Sequence, residues 1–152
     1  MLDYRLEHVF TYSATLRPPE VVGPGPEGIR ANFYVTSGTL EGPRIKAQFL
    51  PVGGDWLLIR PDGVCILDVR ATFQTDDGAL IYTTYNGVSD LGDDGHQKFM
   101  RQDLTAKIPL RIAPRYITAD PKYAWLNRFQ GIGIGEADMT TLTARYDVYA
   151  VR

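Results

Sequence analysis

The chain has a single cysteine, Cys65, among its 152 residues. One thiol cannot form an intrachain disulfide, and it cannot supply a cysteine-based zinc cluster. Charge of neither sign dominates. Sixteen Lys and Arg oppose eighteen Asp and Glu, for a net charge of -2. The basic footprint of a nucleic-acid-binding protein is therefore missing. No apolar run reaches the length of a membrane span. Met1-Leu2-Asp3-Tyr4-Arg5 alternates charged and apolar residues and lacks the apolar region of a signal peptide. Together these absences favour a cytoplasmic protein. There is no HExxH, GxSxG or Walker pattern and no cysteine-nucleophile motif. Covalent catalysis has no support, and neither a cofactor nor a metal is expected. Asp90, Asp93 and Asp94 could attract calcium, but they lack the full ligand spacing of an EF-hand.

What the chain does have is punctuation. Fifteen glycines and ten prolines fall between short runs rich in Val, Ile, Thr, Tyr and Phe. Many strands joined by tight turns give that pattern. Leu2, Tyr4, Leu6, His8, Phe10, Tyr12 and Ala14 share one parity, with mostly polar residues between them, which predicts a half-buried first strand. Arg17 to Gly28 reads as a loop, because its prolines remove donors and its glycines free the backbone. Strands are predicted over 29–40, 44–50, 55–60, 64–75 and 79–88. Pro61-Asp62-Gly63 and Asp76-Asp77-Gly78 are the turns on either side of the 64–75 strand. Residues 89–107 are polar, hold a short helix over 97–104, and suit a functional loop or lid. Strands over 108–118, 129–137 and 141–151 complete the chain, with one helical turn at 123–128. The fold class is mainly β: one antiparallel barrel of about eight to ten strands with little helix, spanning the whole chain. A long first and last strand can pair and close the sheet. A sandwich is the alternative.

Several segments could carry chemistry. On the 64–75 strand, Cys65, Leu67, Val69, Ala71 and Phe73 form an apolar face, and Asp68 and Arg70 lie on the other. That second face either meets water or lines a polar barrel interior, where both charges would be coupled. Gly131, Gly133 and Gly135 share one strand face, leaving room for a ligand or for aromatic neighbours. Tyr123, Trp125 and Asn127, like Trp56 beside Asp55, combine an apolar body with a polar tip. They suit a pocket for planar ligands or a plug in a barrel end. Tyr82 is a core tyrosine or an acid. His8 is a core histidine or, if it opens into a pocket, a general base.

Gly53-Gly54-Asp55-Trp56, Arg60-Pro61-Asp62-Gly63, Asp68-Val69-Arg70 and Thr75-Asp76-Asp77-Gly78-Ala79-Leu80-Ile81-Tyr82 together resemble the central block of the DUF3237 (UPF0311) family. Ala113-Pro114-Arg115-Tyr116 with Thr118, and Tyr123-Ala124-Trp125-Leu126-Asn127, resemble its second block. Gly38 with Glu41-Gly42-Pro43 resembles its early turn. The resemblance covers nearly the whole chain and implies a compact β-barrel of this length. It also implies action on small cyclic or aromatic metabolites without a cofactor.

Two functions follow as expectations. The first is a cofactor-independent acid/base enzyme of the isomerase, cyclase, hydratase or lyase class. Asp55 or Asp68 would move a proton, Arg70 and Arg115 would hold negative charge, and Tyr82 or Tyr123 would donate to an oxygen. Trp56, Trp125 and Asn127 would orient the ring, with His8 in the pocket wall. The alternative is a carrier or sensor barrel with an apolar lining and no chemistry. Either way the partner is a small molecule, not a nucleic acid or a membrane. The β edges and the Pro-rich loop near Pro18 leave a homo-oligomer open.

Overall fold

The computed structural model describes residues 1–152. Ten strands run in chain order: β1 (Leu6–Leu16), β2 (Glu20–Gly25), β3 (Gly28–Gly42), β4 (Ile45–Ile59), β5 (Val64–Thr75), β6 (Leu80–Asp90), β7 (Lys107–Ile112), β8 (Arg115–Ile117), β9 (Gly131–Asp138) and β10 (Thr143–Val151). A short helix α1 (Gly95–Met100) and a 3₁₀ helix (Pro121–Arg128) are the only helical pieces. No helix is long and apolar enough to cross a membrane.

Successive hairpins pair β3 to β6 antiparallel, and the path continues through β7, β9 and β10 to β1. β1 then pairs with β3 as well, from Thr11 opposite Glu41 to Leu16 opposite Val35, so the sheet closes on itself. The result is an eight-stranded antiparallel barrel with β2 on the edge of β3 and β8 on β6. The predicted pairing of first and last strands holds, from Leu6 opposite Val151 to Thr15 opposite Thr143. Closure removes the open edges that a sandwich would leave.

Three boundaries differ from the sequence reading. The segments 44–50 and 55–60 belong to one strand, β4, which bends where the β5 register shifts between Phe49 and Gly53. Gly53 sits at φ +93°, and a Cβ there would lie 2.2 Å from the Arg70 carbonyl oxygen, so the bend requires glycine. The loop 17–28 contains β2, an exposed strand that needs only one partner. Pro114 splits the 108–118 strand into β7 and β8.

The interior of the barrel is aromatic. Phe73 is fully buried with its ring 4.3 Å from that of Phe49, and Tyr12 packs edge-on to both. On β5 the apolar residues Cys65, Leu67, Val69, Ala71 and Phe73 face inward. The polar half of the other face therefore meets water.

The two barrel ends are closed differently. At the β5–β6 turn the 3₁₀ helix acts as a plug. Asp120 caps it by accepting from Lys122 N–H at 2.9 Å, Pro121 presets its first turn, and Tyr123 and Leu126 are buried. Asp77 ties it down by accepting from Tyr123 Oη at 2.9 Å and Thr75 Oγ1 at 2.6 Å and by pairing with Lys122. These donors hold the Asp77 carboxyl well below the usual range. At the opposite end, near the β4–β5 turn, the segment around α1 covers the barrel.

Candidate functional site

A cavity of about 90 Å³ occupies the end of the barrel under α1. Its walls are almost wholly apolar, with Leu16, Phe33, Leu57, Leu67, Leu110 and Met139 among them. One carboxyl group enters it, that of Asp55. Phe33 on β3 and Val69 on β5 pair with Asp55 and face inward, so the strand register aims Asp55 inward too.

The backbone around Asp55 is unusual. Pairing between β4 and β5 runs through Asp55–Val69 and resumes only at Leu58–Ile66. In the gap the Asp55 carboxylate accepts the Asp68 backbone N–H at 3.0 Å. The Trp56 carbonyl accepts from the Arg30 guanidinium at 3.0 Å, and the Leu67 carbonyl from the Asn86 amide at 3.2 Å. Side chains thus satisfy backbone groups that the ladder leaves, and Asp55 is held in a single orientation. Burial pushes its pKa from 3.8 up to about 7; the Asp68 N–H bond opposes the rise and the Asp68 charge adds to it.

Three tyrosines line the same cavity, Tyr12 from β1, Tyr85 from β6 and Tyr146 from β10. Tyr12 Oη donates to Tyr85 Oη at 3.1 Å. The Tyr146 ring lies 5.0 Å from that of Tyr12 and 6.1 Å from that of Tyr85. Burial raises all three phenols, and the Asp55 charge raises Tyr85 and Tyr146 further. They are hydrogen-bond donors throughout the physiological range. Cys65 also lines the cavity, and burial pushes its thiol to about 12, which leaves it protonated and inert. No Lys, Arg or His borders the space, and no group of three His, Cys, Asp or Glu converges anywhere to hold a metal ion.

Of the residues singled out from sequence, Asp55 alone lines this cavity. Asp68 and Arg70 lie on the outer face, paired with each other at 3.2 Å and partly exposed. Of the two readings left open for this face, the structure has the one that meets water, because the inward face of β5 is filled by Cys65, Leu67, Val69, Ala71 and Phe73. Trp56, next to Asp55, points outward by strand alternation, with the Arg70 guanidinium 5.6 Å from its ring. Tyr82 is exposed on the outside of β6 beside Ile117. His8 is exposed because a bulge between His8 and Phe10 resets the parity of β1, and its Nε2 lies 3.4 Å from an Asp147 carboxylate oxygen. Arg115 is exposed on β8, which places it outside the cavity. Tyr123 and Trp125 belong to the plug, Tyr123 bonded to Asp77 and Trp125 stacked on Phe129 beneath the Arg44 guanidinium.

Asn127 has a structural task. Its side chain accepts from Thr118 N–H and donates to the Thr118 carbonyl, both at 2.9 Å, as a neighbouring strand would. Asn127→Ala is expected to cost about 1–2 kcal/mol in urea unfolding, because two backbone groups lose their partner. The titration of Asp55 should be untouched in that variant.

Sequence reading missed the tyrosines. Tyr12 and Tyr146 were on the inward parity of the first and last strands, where an apolar count absorbs a tyrosine as core. Tyr85 is three residues beyond Tyr82, on the opposite face, and only pairing to β5 shows which of the two looks inward.

The architecture is a closed antiparallel barrel with one end plugged and a cavity toward the other. The chain belongs to the DUF3237 family, described as a protein of unknown function, which matches residues 4–151. It is 31% identical over 129 residues to a UPF0311 protein of Rhodopseudomonas palustris, covering 84% of each chain. Its identity to a UPF0311 protein of Clostridium acetobutylicum is also 31%, over 127 residues, covering 82% of this chain and 80% of that one. Among solved structures, a β-barrel-like protein from Acinetobacter baumannii superimposes with a TM-score of 0.82 at 28% identity, covering 100% of this chain and 98% of that one. An enzyme from Penicillium herquei superimposes with a TM-score of 0.74 at 20% identity, covering 100% and 97%, and so shares the fold alone.

Proposed function

We propose that this protein is a cofactor-independent acid/base enzyme that moves a proton on a small, uncharged cyclic or aromatic substrate held in the barrel cavity. The reading is carried by one observation: a lone carboxyl group with a pKa near 7 faces an apolar cavity that also holds three tyrosines. A carboxyl poised near neutral pH serves equally well as base and acid, and that balance is what proton transfer requires. Asp55 takes or returns the proton. Tyr85, whose hydroxyl accepts from Tyr12, and Tyr146 donate to the oxygen on which negative charge develops. The apolar walls strengthen those bonds by excluding water. Isomerisation, cyclisation, hydration and elimination all use this step. A wall without cations disfavours carboxylated or phosphorylated ligands, which would bring an unpaired charge into the cavity.

The carrier reading is supported by the same apolar walls, but it gives no reason to keep a desolvated carboxyl among them. Exchange of enolisable C–H for deuterium, followed by NMR across a panel of uncharged cyclic ketones and phenols, separates the two. Exchange should follow an apparent pKa near 7 and vanish in Asp55→Asn. Tyr85→Phe should slow it about 10²-fold, the usual effect of losing one oxyanion donor. Exchange that survives Asp55→Asn removes Asp55 from the chemistry, and binding with no exchange at all leaves a carrier.

A further inference from the structure

The cavity end opposite the plug is covered by residues 92–105, and the way they are attached is distinctive. Leu91 N–H donates to the Gly63 carbonyl at 3.1 Å on one side, and Met139 N–H to the Ala106 carbonyl at 2.7 Å on the other. Between these anchors every hydrogen bond and ion pair stays within residues 90–107, including the Lys98–Asp94 pair at 3.0 Å. Gly92 N–H to the Asp90 carboxylate and Thr105 Oγ1 to the Lys107 carbonyl reach the strand ends at the two hinges, and no polar group ties the span between them to the barrel beneath it. What holds it down is apolar: Phe99 and Leu104 line the cavity, with Leu91 at the first anchor. Gly92 at φ +79° and Gln102 at φ +56° put left-handed joints on either side of α1. At its base the segment rests glycine against glycine. A Cβ on Gly63 would lie 1.8 Å from the Gly92 carbonyl oxygen, and one on Gly95 would lie 3.3 Å from Gly63 Cα.

A cover whose polar bonds are internal or lie at its two hinges can lift without breaking any bond to the barrel beneath it. Its only loss on lifting is apolar contact, and a ligand in the cavity would add to that contact. We propose that residues 92–105 form a hinged lid, swinging on the Leu91 and Ala106 anchors to admit the ligand, with Phe99 and Leu104 closing on it and selecting it. The inference rests on the cavity being the ligand site. It does not depend on Asp55 having a chemical role.

Amide hydrogen exchange on the full chain tests the opening with no ligand. Amides of residues 95–105 should exchange through a local opening whose rate is insensitive to low urea, while β5 and β6 stay protected. Exchange of the segment only together with those strands would overturn the lid. Neutral 2-naphthol serves as the probe for selection. In wild-type protein it should slow exchange of the lid amides, and Phe99→Ala should release it about tenfold faster, since a lost lid contact appears in the dissociation rate. Naphthol bound with no change in lid exchange, or released at the same rate from Phe99→Ala, would overturn the assignment. Failure of the acid/base reading would appear separately, as an Asp55 carboxyl that titrates like a surface aspartate.

Discussion

Asp55→Asn should abolish deuterium exchange and at the same time stabilise the protein above neutral pH. Burial lifts the Asp55 pKa from 3.8 to about 7. Between those values the folded protein keeps the proton and the unfolded chain has released it. The folded state therefore loses stability as pH rises through that window, and the penalty is fully present above it. A shift of this size corresponds to about 4 kcal/mol as an upper bound. Asparagine is neutral at every pH and still offers a carbonyl oxygen to the Asp68 N–H, so the gap in the β4–β5 pairing stays closed. Urea unfolding should show wild type and variant nearly equal near pH 4, with the variant more stable at pH 8. A constant difference across that range would mean that Asp55 is not desolvated. A functional group that costs stability is the usual mark of a site kept for activity.

Gly135→Val should be the most damaging change among the three strand glycines. Gly135 lies opposite Tyr146 in the β9–β10 pair. A Cβ at Gly135 would lie 2.2 Å from Tyr146 Cδ1 and 2.4 Å from the Arg145 carbonyl oxygen. The ring is flanked by those of Tyr12 and Tyr85, so it cannot shift without disturbing their packing. Overpacking of this kind costs about 3 kcal/mol at its upper end. It also displaces the Tyr146 hydroxyl from the cavity, so exchange should fall about 10²-fold in whatever fraction remains folded. Unchanged unfolding with unchanged exchange would show that the strand can shift to accept the side chain. The glycine face seen in sequence is thus filled by neighbouring side chains and leaves no room for a ligand: Tyr146 lies over Gly135, Ile112 over Gly133 and Pro114 over Gly131.

The barrel was legible because its evidence is local. Period-two alternation over Phe10, Tyr12 and Ala14 marks an inward face, and Pro61-Asp62-Gly63 and Asp76-Asp77-Gly78 mark turns, with no knowledge of distant residues. Asp55 was legible as a candidate because it stands beside Trp56 in Gly53-Gly54-Asp55-Trp56, one of the stretches that carry the family resemblance. The rest of the candidate site was not. His8 was misplaced by a one-residue bulge, which local pattern does not register. Asp68 and Arg70 drew attention as charges in a half-buried strand, yet alternation alone leaves the inward face undecided.

The sequence by itself determined the β class, the turns on either side of β5, the family and the absence of any metal or nucleophile motif. Those properties reside in single residues and short spacings. Only the tertiary structure decided which face of each strand looks inward, that β1 pairs with β3 as well as with β10, and that Tyr12, Tyr85 and Tyr146 share one cavity with Asp55. The reason is physical. Side-chain direction in a strand alternates with every residue, so one bulge or one shift of register exchanges inside for outside. A cavity is made by strands far apart in the chain, and its chemistry exists only once the barrel has closed.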